Sequence, residues 1–217
     1  MTFKQDVLLY FAAARIMLHR LIRKPPEPVV WNEARFLCIG LDGAGKTCLL
    51  RRAADATAIP EGVEPTNGFK VRSVVIEPNC KAEVWDIGGR EAIRPYWSKY
   101  ATHDTEATIW VLDGADEARL AEARGALREA LTRSVLLRSL PLLVLVSKQD
   151  SAGAMSADVA AAGLGLEELQ RERLAMGARR VEAVSAVDGR NLASALQWLA
   201  RVALGEEEEG APAASSI

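Results

Sequence analysis

The chain predicts an α/β fold: a doubly wound, six-stranded, mainly parallel sheet with helices on both faces. Three observations lead there. Six short apolar runs alternate with segments of helical periodicity. Most of the runs are apolar almost throughout, as strands covered on both faces are. A glycine-rich turn, "GLDGAGKT" at 40–47, follows the first run directly and opens a helix.

In chain order, residues 3–23 repeat apolar groups at helical spacing, with Phe3, Val7, Phe11, Leu18 and Ile22 on one stripe and a basic remainder. The "KPPEP" stretch at 24–28 ends that helix, since proline lacks the N–H and disfavours helix before it. Strands are expected at 35–40, 69–77, 81–87, 108–113, 141–148 and 179–186. A turn at "PN" joins the second strand to the third. Helices are expected near 46–54, 116–138, 156–163 and 191–204. The last residues, "GEEEEGAPAASSI", are acidic and then small, the composition of a solvated tail. Three parts follow: 1–29 as helix and linker, 30–204 as the folded domain, 205–217 as tail.

Composition narrows the function classes. With 49% hydrophobic and 26% charged residues the 217-residue chain can bury a core. A net charge of -2 gives no basic field for nucleic acid. Cys38, Cys48 and Cys80 have neither metal nor disulfide spacing and suit a reducing, cytoplasmic setting. No apolar run reaches the about 18–20 residues of a membrane span. Thr2 stands where N-myristoylation requires glycine, and residues 3–23 do not have the form of a secretory signal.

Ligands of doubly wound sheets bind outside the carboxyl ends of the strands, so the residues there carry the chemistry. "GLDGAGKT" fits G-x-x-x-x-G-K-[ST] between strand and helix. Main-chain N–H groups over Asp42, Gly43, Ala44, Gly45, Lys46, Thr47 and Cys48 can form a nest for phosphate oxygens, aided by the helix dipole. Lys46 supplies charge to the outer phosphates, and the Thr47 hydroxyl is suited to Mg²⁺. "VSKQD" (146–150) follows a strand end. The Asp150 carboxylate can accept from both N1–H and N2–H₂ of guanine, donors that adenine lacks; Lys148 can lie along the base. "SAVDG" (185–189) follows the last strand, where Ser185 stands and the Ala186 N–H can meet guanine O6. Standing alone, "SKQD" reads as a surface turn; the phosphate loop upstream changes its meaning.

With these residues in hand the chain resembles the Arf-like (ADP-ribosylation-factor-like) small GTPases over about residues 30–204. "GLDGAGKT", "EPTNGFKV" (64–71), "WDIGG" (85–89), "IRPYWSKY" (93–100) and "KQD" are similar to that family's motifs. The resemblance implies a P-loop G domain binding GTP or GDP with Mg²⁺. It implies that Thr66 closes over metal and γ-phosphate, that Asp86 holds the metal through water, and that the Gly89 N–H donates to the γ-phosphate. It also implies effector contact through Phe69, Trp85 and Tyr100, an exchange factor and an activating protein as partners, and a role in membrane or ciliary traffic. Residues 3–23 resemble the family's N-terminal amphipathic helix, here without lipid, giving reversible membrane or partner contact or packing on the chain's own domain. The chain is expected to be a monomer.

Two departures bear on mechanism. Arg90 stands where the family carries the glutamine that orients water; arginine has no acceptor. It can leave hydrolysis crippled, stabilise transition-state charge in cis, or simply face solvent or Glu91. Ser147 replaces an asparagine that bridges base and phosphate loop, and implies weaker nucleotide retention. Three functions follow from this set: a GTP-dependent switch, a permanently GTP-loaded module without useful hydrolysis, or a phosphotransferase or ATPase on the same loop.

Overall fold

Strands form where the apolar runs were expected. In the computed structural model these are β1 (Asn32–Ile39), β2 (Phe69–Ile76), β3 (Cys80–Ile87), β4 (Ala107–Asp113), β5 (Leu142–Ser147) and β6 (Arg179–Ala183). They make a six-stranded sheet in the order β2-β3-β1-β4-β5-β6. Only β2 and β3 pair antiparallel; the other neighbours are parallel. The structure describes residues 30–58 and 62–206. The chain divides into two compact units, Met1–Val30 and Trp31–Ile217, and the second carries every element named here. The helix expected over 3–23, its linker and the tail beyond Glu206 lie outside the described residues.

The helices are α1 (Lys46–Ala54), α2 (Trp97–Tyr100), α3 (Leu120–Arg133), α4 (Val135–Ser139), α5 (Ala157–Leu164), α6 (Leu166–Arg171) and α7 (Leu192–Ala203). Two hydrophobic layers sandwich the sheet. On one face Phe36, Val84 and Ile109 pack with Leu49 and Leu50 of α1 and Leu196 and Leu199 of α7. On the other, Leu37, Ile39 and Val144 pack with Trp97, Leu127, Leu131 and Leu164. Strand alternation sends neighbouring residues to opposite layers, so β1, β4 and β5 must be apolar at nearly every position.

Several boundaries differ from the sequence expectation. The single helix expected over 116–138 is broken at Ser134, whose extended backbone ends α3 and whose Oγ accepts from the Leu137 N–H to start α4. β6 stops at Ala183; Val184 N–H still donates to the Val146 carbonyl, and a turn begins at Ala186. α2 and α6 had no sequence forecast; at 4 and 6 residues they are too short for periodicity to register. Ser156 caps α5 through the Val159 N–H. Among the described residues no helix is long and apolar enough to cross a membrane.

This topology brings the ends of β1, β3, β4, β5 and β6 to one edge. Cys38 lies opposite Asp86, and Asp113 opposite Ser147. The motifs read from the sequence leave the sheet there.

Candidate nucleotide-binding site

The loop between β1 and α1 is built by its glycines. Gly45 caps α1 in the left-handed region, φ +86°, which a side chain disfavours. The loop then wraps Lys46. That ammonium donates to the carbonyls of Gly40 (2.8 Å) and Leu41 (2.7 Å) and is almost wholly buried. Burial lowers its pKa, while the nearby Cys38, Asp86 and Asp42 favour its charge.

At the start of α1 three oxygens converge. The Thr47 hydroxyl donates to Asp86 Oδ2 (2.6 Å) and lies 3.1 Å from the Thr66 hydroxyl. Asp86, the last polar residue of β3, has no solvent exposure, and its Oδ1 has no hydrogen-bond partner. Burial raises its pKa; the Thr47 bond and the Lys46 charge oppose the shift. A buried carboxylate oxygen without a partner beside two hydroxyls is a donor set for a hard divalent cation such as Mg²⁺. These residues therefore fit the ion that the sequence implied.

Glycine at 89 has a steric reason. A Cβ there would come within 2.3 Å of the Asp42 nitrogen and the Leu41 carbonyl carbon. The segment after β3 thus abuts the phosphate loop backbone to backbone. A Cβ on Gly88 would meet the Thr66 carbonyl at 2.5 Å, so the segment is equally tight against the stretch before β2. Between them lies a cleft of about 420 Å³ lined by the phosphate loop, Val63–Thr66 and Gly88–Arg90.

Arg90 edges this cleft, and its Nη1 donates to Asn67 Oδ1 at 3.0 Å. The partner is thus Asn67, not the neighbouring Glu91 weighed from the sequence. Ser147 makes a bridge: its hydroxyl lies 2.7 Å from the Ala44 carbonyl and 3.0 Å from the Leu112 carbonyl. One hydroxyl proton serves two acceptors, where an asparagine amide would bring two.

Lys148, Asp150, Ser185 and Ala186 stand after β5 and β6, beyond the residues lining the cleft. Lys148 has φ +58° and its ammonium pairs with Asp113 Oδ2, which fixes its stem. The buried Ser185 hydroxyl donates to Asp150 Oδ1 at 2.7 Å and accepts from the Val187 N–H, so the two loops are tied together. Cys48 lies at the cleft wall, half-buried. Cys38 is buried beneath the loop; burial, then the Asp86 charge, push its thiol up.

The aromatic trio lies on the sheet face away from α1. Phe69 stacks on Trp85 at 5.0 Å and 12°, and Tyr100 tilts against Phe69 at 5.6 Å. Phe69 is 47% exposed, whereas Trp85 and Tyr100 also pack on the core. The resemblance implied partner contact for these rings; their positions combine core packing with an exposed Phe69.

A charged ring was not foreseen. Asp42 accepts from Arg94 (3.2 Å) and Arg119 (2.9 Å), and Glu122 accepts from the same two arginines, both at 2.7 Å. Arg119 lies 77 positions from Asp42, a distance at which no sequence spacing speaks.

Comparison with known proteins agrees with this architecture. The profile of the ADP-ribosylation factor family (Arf) matches residues 27–203. ADP-ribosylation factor-like protein 3 of Chlamydomonas reinhardtii is 38% identical over 168 residues, 77% of this chain and 89% of that protein. ADP-ribosylation factor-like protein 1 of Drosophila melanogaster is 38% identical over 168 residues, 77% of this chain and 88% of that one. Among solved structures, the Arl6 BBS3 small GTPase of Trypanosoma brucei, with the bound nucleotide analogue GppNp, superposes with a TM-score of 0.70 at 23% identity. That match covers 81% of this chain and 100% of the other, and at such identity it speaks for the fold alone. Profile, relatives and fold point the same way, and the chain belongs to the ADP-ribosylation factor family as an Arf-like small GTPase.

Proposed function

We propose that this chain is a guanine-nucleotide-dependent switch with weak hydrolysis, which recruits effectors in membrane or ciliary traffic. The observation that carries the reading is the convergence of Thr47, Thr66 and the unpartnered Asp86 Oδ1 beside the Lys46 loop. The phosphate loop receives the phosphates on its main-chain N–H groups, with Lys46 as counter-charge. Thr47, Thr66 and, through water, Asp86 would hold Mg²⁺, which would neutralise phosphate charge when bound. Gly89 N–H donates to the terminal phosphate. Asp150, fixed by Ser185, accepts from guanine, with Lys148 along the base and the Ala186 N–H toward O6. Purified protein should release GDP on chromatography, and calorimetry with magnesium should favour GTP over ATP. Equal affinity for the two, or full binding by Lys46→Ala, would end this reading.

Arg90 leaves the attacking water without an acceptor, and its bond to Asn67 turns it toward the segment before β2. Arg90→Gln should raise the single-turnover GTP hydrolysis rate at least about tenfold, given that water-orienting groups are worth about 10²–10⁴ in rate. No acceleration would mean that Arg90 is not the block. The same bond favours a second reading, a permanently GTP-loaded module, which copurified GTP in place of GDP would support.

Effectors meet Phe69, Trp85 and Tyr100. The exposed side chains Phe69, Val71 and Val75 sit at alternate or wider spacing on edge strand β2 and give that surface an apolar row. The amphipathic docking helix read from the sequence at 3–23, ahead of a monomeric G domain at 30–204 with a tail at 205–217, lies outside the described residues and is tested in solution. Liposome flotation should be stronger with GTP than with GDP bound; equal flotation would defeat nucleotide control of the helix.

A further inference from the structure

Three successive peptides around Gly89 are each held by one hydrogen bond. Gly88 N–H donates to the Gly68 carbonyl at 2.8 Å. The Trp97 indole donates to the Gly88 carbonyl at 3.0 Å. Arg94 Nε donates to the Gly89 carbonyl at 2.8 Å. In a trans peptide the N–H points opposite to the carbonyl. Pulling the Gly88 carbonyl toward Trp97 therefore turns the Gly89 N–H the other way.

The two side chains that do this are themselves immobilised. Trp97 is 1% exposed and packs edge-on against Trp110 at 5.6 Å. Arg94 is a corner of the charged ring, with Nη2 on Asp42 of the phosphate loop and Nη1 on Glu122 of α3. Arg119 closes the ring from the opposite corner, reaching Asp42 Oδ1 and Glu122 and donating to the Asp42 carbonyl at 3.0 Å. An arginine fork with fixed partners leaves its Nε little freedom.

We propose that Arg94 and Trp97 are positioning residues that aim the Gly89 N–H at a terminal phosphate, and that Asp42, Arg119 and Glu122 set triphosphate preference by holding Arg94. The proposal rests on the nucleotide-binding reading above. It makes α3, through Glu122, a part of the nucleotide sensor although no α3 residue lines the cleft.

The test uses the full chain with magnesium, fluorescent GDP and a fluorescent non-hydrolysable GTP analogue, reading the ratio of the two affinities. Arg94→Ala should lower the triphosphate-to-diphosphate ratio about tenfold, the scale of one charge-assisted hydrogen bond. Glu122→Ala should lower it about threefold, in line with one partner of a half-exposed ion pair. Because Glu122 acts through Arg94, the double variant should be no worse than Arg94→Ala alone. An unchanged ratio in Arg94→Ala, including equal loss of both nucleotides, overturns the proposal, as does additivity in the double variant. If Arg94→Ala fails to fold by circular dichroism, Glu122→Ala decides: its ratio either falls or the proposal does. A parent chain that binds neither guanine nucleotide removes the underlying reading instead, a result distinct from a parent that binds both and variants that keep its ratio.

Discussion

Asp86 is the residue with the largest conflict between stability and chemistry. Its carboxylate has no exposure, one oxygen has no partner, and burial raises its pKa. A carboxyl whose folded pKa exceeds its unfolded value binds more protons folded than unfolded. Stability therefore falls as pH rises from 3.8 through the raised value, and the cost remains at neutral pH. Asp86→Asn should accordingly stabilise the nucleotide-free chain at pH 7 by roughly 1–3 kcal/mol, the scale of the desolvation penalty that the buried charge carries and the neutral amide does not. Calorimetric melting checks this; a lower melting temperature would show that the carboxylate is compensated. The same variant should lose magnesium-dependent tightening of nucleotide, because the neutral amide lacks the charge that would hold the metal's water.

Among the elements, the loop between β1 and α1 depends on β5 for its anchor. Ser147 closes the strand and reaches the Ala44 carbonyl, but shares its single proton with the Leu112 carbonyl. Ser147→Asn should satisfy both acceptors and hold the loop more firmly. The GDP dissociation rate should fall about fivefold to tenfold, the worth of one net hydrogen bond, in stopped-flow displacement. An unchanged rate would mean that the serine bridge already suffices. The edge pair β2 and β3 is the other element with functional consequence. Val71 and Val75 on β2 are 42% and 54% exposed, so no described helix covers that face.

Across the whole molecule, charge ties regions that the sheet keeps apart. Hydrogen bonds from Arg119 and then Arg94 bring the Glu122 pKa down to about 2 from 4.5, and Asp42 is lowered chiefly by Arg119. Lowered carboxyl pKa values mean stability that is present above the unfolded value and lost as pH falls through the folded one. The ring should thus contribute at pH 7 and fade from about pH 4.5 toward 2. Because Glu122 is 41% exposed, solvent screening keeps the worth of its bonds to roughly 1 kcal/mol or less. Glu122→Gln should melt below the parent at pH 7, with the gap closing as the solution is acidified. A gap that is constant with pH would show that packing, not charge, is lost.

Local chemistry is what the chain alone determined. Apolar runs, the glycine spacing at 40–47, Thr66, "DIGG" and "SKQD" are short-range patterns, and they were enough for the fold class, the strand count and the place of the cleft. Glycine at 89 belongs to such a motif, and the structure gives its steric reason, since the atoms that would crowd a Cβ there belong to the phosphate loop. What only the tertiary structure decided are pairings between distant positions: Ser147 with Ala44 across 103 positions, Arg119 with Asp42 across 77, Arg90 with Asn67 across 23. Periodicity and propensity act over a few residues, whereas these contacts depend on strand order, which brings five strand ends to one edge and sets which side chains meet there.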